Sequence, residues 1–199
     1  VGPFSSISLN GSYSRYTHRE VEEGGITGTE FGVLSGAFDV LARHEGGGIL
    51  SDGAVGAQFI WRDFAAGGSL STPPSNDYTV AAYAVQEVDL EPVRLEFGAR
   101  YDHHRAVPRR TETRIDIGDV RTRTFGSLSA SAAAVVDIGS GLGVGASLSR
   151  SFRTPDTNEL FSQGPHLASY SYEVGNPDLE AEVGVGAEAF VRLARETIT

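Results

Sequence analysis

The sequence predicts an all-β protein built around one antiparallel, up-and-down sheet of about eight strands. Runs in which apolar and polar residues alternate recur along the chain, and this is the period of a strand whose two faces meet different surroundings. Helix-like periodicity is nearly absent. Turn-forming segments rich in Gly, Pro, Asp and Ser separate the runs. In chain order the runs cover about 5–17, 28–43, 53–62, 78–88, 93–101, 124–138, 142–149 and 182–195.

The first four runs differ in how clearly their faces can be assigned. The first sets apolar residues opposite a series of serines, and the second and third use larger apolar side chains. The fourth consists mostly of Ala and Val, so its facing stays open. The apolar faces of the first three are Ile7, Leu9 and Tyr13, then Leu34, Phe38, Val40 and Ala42, then Val55, Ala57, Phe59 and Trp61.

The last four runs show the alternation more sharply. In the fifth, Val93, Leu95, Phe97, Ala99 and Tyr101 alternate with Arg94, Glu96, Gly98 and Arg100. Charged residues that alternate with large apolar ones require two different solvents on the two faces. The sixth, seventh and eighth runs place apolar residues opposite Ser, Gly and a few charges.

The connections between the runs predict a membrane barrel. Those after runs one, three, five and seven are long, and those after runs two, four and six are short. An up-and-down sheet collects all long loops on one rim, which is typical of outer-membrane barrels. Aromatic residues also gather towards the long-loop rim, as in a membrane-interface belt.

Composition excludes several other classes. The formal net charge of −10 disfavours a nucleic-acid binder, because phosphate neutralisation needs a cationic surface. The absence of Cys rules out disulfides and thiolate metal sites. No apolar run approaches the roughly 20 residues that a membrane helix needs.

One segment carries a recognisable phrase. It reads Ser149-Arg150-Ser151-Phe152-Arg153-Thr154-Pro155, then Glu159-Leu160, then Gly175-Asn176-Pro177-Asp178-Leu179-Glu180-Ala181-Glu182. This phrase resembles one in the TonB-dependent outer-membrane receptors, and Gly98-Ala99-Arg100-Tyr101-Asp102 resembles a strand of the same family. We expect the phrase to have a structural role, holding the entry and exit of a loop, through Phe152, Arg153, Pro155, Glu159, Leu160, Gly175, Asn176, Pro177, Leu179 and Glu182.

The resemblance implies a fold and a function. Family barrels are the large plugged type with 22 strands, so residues 1–199 would be part of such a barrel, with the plug domain and the C-terminal strands outside it. The implied function is import of a metal ion, haem or a siderophore-type chelate across the outer membrane of a Gram-negative-type bacterium. Expected partners are TonB, outer-membrane lipid or lipopolysaccharide, and the nutrient itself. Neither a cofactor nor enzymatic activity is expected.

Two shorter phrases, residues 62–68 and Gly164-Pro165-His166, resemble the zinc- and haem-uptake branch of the family. Because zinc and haem are bound by histidine, this resemblance makes the histidines near the long-loop rim candidate ligands. The candidate nutrient-binding residues are His166, Asp102, His103, His104 and Arg105, and the candidate metal ligands are His166, His103 and His18. Because neighbouring residues of a strand face opposite ways, at most one of His103 and His104 can serve a single site.

Two alternatives remain open at this stage. An outer-membrane barrel enzyme, such as a protease or lipase, would need an acid–base set, and Asp102 with His103 is the only candidate pair. A soluble β-rich adhesion or structural domain would instead bury the apolar faces against a second sheet.

Overall fold

A computed structural model describes residues 4–22, 24–47 and 49–194. Within these residues the chain forms ten strands, a short helix α1 over Thr157–Phe161 and a single 3-10 turn over Leu167–Ser169. The strands are β1 (Ser6–Val21), β2 (Thr27–His44), β3 (Leu50–Gly68), β4 (Thr72–Leu90), β5 (Val93–Pro108), β6 (Arg123–Gly139), β7 (Leu142–Arg153), β8 (Gln163–His166), β9 (Ser171–Val174) and β10 (Glu182–Leu193).

Eight of these strands form one antiparallel sheet, which confirms the predicted all-β, up-and-down fold. Their order is β1-β2-β3-β4-β5-β6-β7-β10, so each strand pairs with its neighbour in sequence until the chain leaves β7. Strands β8 and β9 form a separate hairpin. Within the described residues β1 and β10 do not pair with each other, and the sheet is an open section of barrel wall.

The predicted strict alternation of long and short connections is wrong. The connections over 22–26 and 69–71 are no longer than the one over 45–49, because β1, β3 and β4 continue into stretches expected to be loop. Likewise β5 runs to Pro108 and takes in His103 and His104. These extensions are rich in Gly, Pro and polar residues, so their composition indicates loops, but all of their residues except Pro73 and Pro74 have a ladder partner. The predicted end of the eighth run at Arg195 lies outside the described residues.

Between the described strands two long connections remain, over 109–122 and 154–181, and both lie at the same end of the strands. We call this end the strap rim and the opposite end the turn rim. The turn rim contains the tight connections 91–92 and 140–141. The up-and-down order therefore places both long segments together, as the sequence predicted, although the number of long loops is smaller.

The two faces of the sheet differ in chemistry. One face, here the apolar face, exposes large side chains such as Phe59, Phe97 and Tyr101, which are 44%, 46% and 51% exposed. The other, the polar face, carries Gln58, Arg100 and the serines of β6 and β7. In the described part of the chain the only other sheet is the β8–β9 hairpin, so no second sheet covers the apolar face.

A seam interrupts the sheet near the strap rim. The ladder between β6 and β7 ends at the pair Ala130–Arg150, although β6 begins seven positions earlier at Arg123 and β7 continues to Arg153. The guanidinium of Arg150 bridges the seam by donating to the carbonyl of Leu128. Beyond that pair, β6 remains paired with β5 and β7 with β10.

Among the described residues, no helix has the length and apolar character to cross a membrane.

Candidate functional site

Residues 154–181, here the strap, fold back onto the polar face at the strap rim. The strap begins with buried Pro155, and Asp156 then caps helix α1. The Asp156 carboxylate accepts the Asn158 amide at 3.0 Å, and Glu159 accepts the Asp156 amide at 2.7 Å. This reciprocal capping box satisfies amides at the start of α1, which explains how a helix of one turn persists.

Polar contacts attach α1 to β3 and β4. The Thr157 hydroxyl donates to the two Asp77 carboxylate oxygens at 3.1 and 3.0 Å, and both residues are buried. Arg62 donates to Asp156 at 2.7 Å and lies 3.8 Å from Asp77. Thr72 donates to Asn158 at 3.0 Å. Two carboxylates thus share one guanidinium, and the attachment links the strap to two neighbouring strands.

An apolar cluster fixes the other side of α1. Leu160 and Phe161 are fully buried against Ala106, Val120 and Phe125. These partners come from β5, the 109–122 connection and β6, so α1 lies between the strap rim of the sheet and the 109–122 connection. Partly buried Ile117, Leu179 and Ala181 complete the cluster.

The return arm of the strap closes over the end of α1. The amides of Gly175 and Asn176 donate to the carbonyls of Ser162 and Glu159 at 2.7 and 2.9 Å. A Cβ on Gly175 would lie 2.6 Å from the Phe161 nitrogen, so only glycine permits this approach. Pro177 is fully buried after it. The Gly-Asn-Pro phrase therefore packs against the C-terminal end of α1.

Arg153 joins the two arms of the strap. Its guanidinium donates to both oxygens of Glu159 at 2.7 and 2.9 Å and to both oxygens of Glu182 at 3.1 and 2.9 Å. Glu182 pairs with Arg153 across the β7–β10 ladder. Phe152, the residue before, pairs with Val183 in the same ladder. The family phrase thus fixes where the strap leaves and re-enters the sheet.

His166 fastens the far end of the strap. Its Nδ1 lies 2.7 Å from Glu173 of β9, and its Nε2 lies 3.0 Å from Glu20 of β1. The pKa of His166 is raised because Glu173, and then Glu20, form hydrogen bonds with the ring. Both ring nitrogens are engaged by carboxylates, an arrangement that holds the hairpin to β1.

The other predicted site residues are divided between the two faces. Asp102 and His104 lie on the polar face, where Arg100 donates to both Asp102 oxygens at 2.7 to 3.0 Å and Thr79 lies 2.8 Å from His104 Nδ1. His103 and Arg105 alternate with them and are exposed on the apolar face. The alternation separates His103 from Asp102, so the pair required by the enzyme alternative does not form.

His18 lies on the polar face near His166, but the two histidines do not form a ligand set. Its ring stacks on Phe31 with a centroid distance of 4.5 Å, and Phe31 lies 6.5 Å from the His166 ring. Among residues 4–22, 24–47 and 49–194, no group of three or more His, Asp or Glu side chains is placed to hold a metal ion. The side chains proposed from sequence are therefore not gathered into one metal site.

Sequence reasoning missed the residues that attach the strap. Arg62, Asp77 and Thr157 are far apart in the chain, and Gln163 is equally unremarkable in sequence. The Gln163 side chain accepts the amides of Arg114 and Ile115, which joins the strap to the 109–122 connection. The available signal was one charged residue, Arg62, at the end of a strand-like run, and another, Asp77, directly before the next run.

The wall is an open antiparallel sheet that is apolar on one face and polar on the other, and a long segment folds onto its polar face. These features are those of an outer-membrane β-barrel receptor. The family model described as TonB dependent receptor-like, beta-barrel, matches residues 3–198. The chain belongs to the β-barrel domain of the TonB-dependent receptors, an outer-membrane transport family of Gram-negative bacteria. No curated protein matches the chain.

Proposed function

We propose that the chain forms part of the wall of a receptor that binds a small nutrient on the polar face near the strap and imports it with energy delivered through TonB. The supporting observation is the strap itself. In a chain of this receptor family, a long rim segment folds against the polar face and is fixed there by Arg62, Asp77 and the apolar cluster around Leu160. We further propose that the plug domain and the remaining strands lie outside residues 1–199.

The polar face offers suitable chemistry for such a nutrient. Asp102 and His104 lie on it two positions apart on β5, and carboxylate and imidazole groups suit a metal ion or a metal chelate. Arg100 and Arg62 supply cationic groups that suit an anionic chelate. Whether the nutrient is zinc, haem or another chelate stays a prediction from the phrases at residues 62–68 and 164–166.

Uptake by the full-length receptor tests the proposal. Cells that carry it as their only receptor should accumulate one labelled nutrient from a panel of zinc, haem and iron–siderophore chelates, and loss of TonB should abolish that accumulation. His104→Ala should reduce binding at least several-fold. His103→Ala is the matched control, because the neighbouring residue faces the other side. Uptake that persists without TonB, or equal effects of both substitutions, would contradict the proposal.

A further inference from the structure

The strap is attached to the wall by contacts whose chemistry differs between its two ends. Its near end, at α1, is fixed by the Asp77–Thr157 and Arg62–Asp156 contacts and by buried Leu160 and Phe161. Its far end, the β8–β9 hairpin, reaches across the turn at 69–71 and meets β1. There the polar attachment to β1 is the contact between His166 and Glu20.

The His166 contacts need the charged form of the ring. A neutral imidazole has one N–H donor and one acceptor nitrogen, whereas an imidazolium has two donors. Here each nitrogen meets a carboxylate oxygen, at 2.7 Å for Glu173 and 3.0 Å for Glu20. Loss of the proton would leave one carboxylate facing a nitrogen lone pair, so one of the two hydrogen bonds must break.

Partial burial makes the loss of this hydrogen bond unfavourable for the carboxylate that it leaves unpaired. The side chains of Glu20, His166 and Glu173 are 17%, 24% and 33% exposed, so the three charges are only partly solvated. Among the described residues the second Glu20 oxygen, Oε2, has no hydrogen-bond partner, and His166 supplies the hydrogen bond that Glu20 receives. A partly buried carboxylate without a partner favours a conformation in which it reaches water.

The surroundings contain few groups that could replace His166. Glu20 and His18 face it from β1, and Glu173 faces it from β9. Strand β2 contributes the uncharged ring of Phe31. The turn at 69–71 is bound by Arg114, whose guanidinium donates to the carbonyls of Gly68 and Ser69. Arg114 is thus engaged with the turn.

We propose that His166 is a protonation-controlled clamp, which holds the β8–β9 hairpin against β1 while the ring is charged and frees that end of the strap when the ring becomes neutral. The near end and the backbone hydrogen bonds between Gln163 and Ser71 stay in place, so the part of the hairpin beyond Gln163 moves while α1 remains docked. This device goes beyond nutrient import and does not depend on which nutrient is carried. The raised pKa of His166 sets the direction of the pH dependence. The clamp is complete when the pH is below the ordinary histidine pKa of about 6.5, and it is lost as the pH rises through the raised pKa.

A spin label on the hairpin tests the clamp. These 199 residues contain no cysteine, so Tyr172→Cys in the full receptor gives one attachment point within them, at a side chain that is 61% exposed. Spectra of the receptor in detergent micelles with a chelator present should show a label that is slow at pH 6 and becomes faster towards about pH 9, above the ordinary histidine pKa. The chelator prevents metal binding at His166 from imitating the effect.

Variants separate the clamp from a general loosening. In the Tyr172→Cys background, His166→Arg should keep the label slow across the range, since its charge persists. His166→Gln should leave the label fast throughout, and His103→Gln should behave as the parent. Retained heat-modifiable migration shows that each variant has folded. A parent label that does not respond to pH, or a His166→Gln variant that still titrates as the parent does, would overturn the proposal. Nutrient uptake is not the readout, so failure here leaves the import proposal standing.

Discussion

Arg153 forms a two-pronged contact with Glu159, with donor–acceptor distances of 2.7 and 2.9 Å, and the same guanidinium also binds Glu182. Glu159 belongs to α1, whereas Arg153 and Glu182 belong to the paired ends of β7 and β10. One cation therefore fixes the helix to both strands that flank the strap. Because Glu159 also caps the Asp156 amide, its charge serves two contacts at once.

The Glu159 contacts should fail in acid. Arg153, and then the Asp156 amide, hold the pKa of Glu159 below its usual range. A lowered carboxylate pKa stabilises the folded strap above the ordinary value of about 4.3, and the stabilisation is lost as the pH falls through the lowered value. The acid protease pepsin should therefore cleave the strap increasingly fast as the pH falls. In Glu159→Gln the cleavage should already be fast at the upper end of the pepsin range and should lack that acid step; identical pH profiles for the two proteins would disprove the assignment.

Thr157→Val should loosen α1 from β4. The substitution keeps the shape of the side chain but leaves the buried Asp77 carboxylate without the hydroxyl that donates to it at 3.0 and 3.1 Å. Leaving a buried polar group unpaired costs about 1–3 kcal/mol. Cleavage by chymotrypsin after buried Phe161 measures the opening, and it should rise by about tenfold for each 1.4 kcal/mol lost. Thr122→Val, at an exposed position, is the control and should cleave as the parent does.

Gly175→Ala should separate the return arm from the helix terminus. The new Cβ would lie 2.6 Å from the Phe161 nitrogen and 2.7 Å from the Leu160 carbonyl carbon, both of them backbone atoms that cannot rotate away. Overpacking of this kind costs about 1–3 kcal/mol. We expect faster chymotrypsin cleavage after Phe161. Gly67→Ala adds the same methyl group where nothing lies within 4 Å, and it should leave cleavage unchanged; equal effects would refute the close approach.

Leu160→Ala should weaken the apolar cluster. Leu160 is fully buried against side chains from β5, β6 and the 109–122 connection, so truncation removes contacts in three directions. Substitutions of this type cost about 2–5 kcal/mol. Hydrogen exchange measured by mass spectrometry should show faster exchange in both 109–122 and 154–163. Leu167→Ala truncates a leucine of the same strap that is 38% exposed, and it should leave both segments protected.

The alternation of apolar and polar residues was enough to predict the antiparallel sheet from the sequence. The apolar residues Phe97, Ala99 and Tyr101 and the polar residues Gly98 and Arg100 lie on the faces that the period of two assigns to them. The strand ends were not predictable in the same way. Near the strap rim the strands carry polar side chains on both faces, as at Asn76 and Asp77, and only the ladder partners show that they are strand.

The strap was harder still to predict, because its contacts join residues far apart in the chain. His166 was singled out as a nutrient ligand, yet its partners include Glu20 of β1, the strand at the far edge of the sheet from β10. Thr157 belonged to no motif and Arg62 only began the phrase at residues 62–68, and their contacts depend on a fold of the strap that no periodicity specifies. The family phrase predicted that Arg153, Glu159 and Gly175 matter structurally, but the sequence alone did not indicate what each of them touches.

The seam between β6 and β7 gives this wall an uneven mechanical strength. From the pair Ala130–Arg150 to the strap rim, β6 and β7 share no ladder pair, and the hydrogen bonds between these two strands come from the Arg150 guanidinium, which donates to the Leu128 carbonyl and the Ser127 hydroxyl. Backbone ladders resist shear by loading many hydrogen bonds together, whereas a single side-chain contact is loaded alone. A pulling force applied at the strap rim would therefore separate the wall there into two panels, β1 to β6 on one side and β7 with β10 on the other, which remain joined by Arg150 and by the packing of α1 against Phe125.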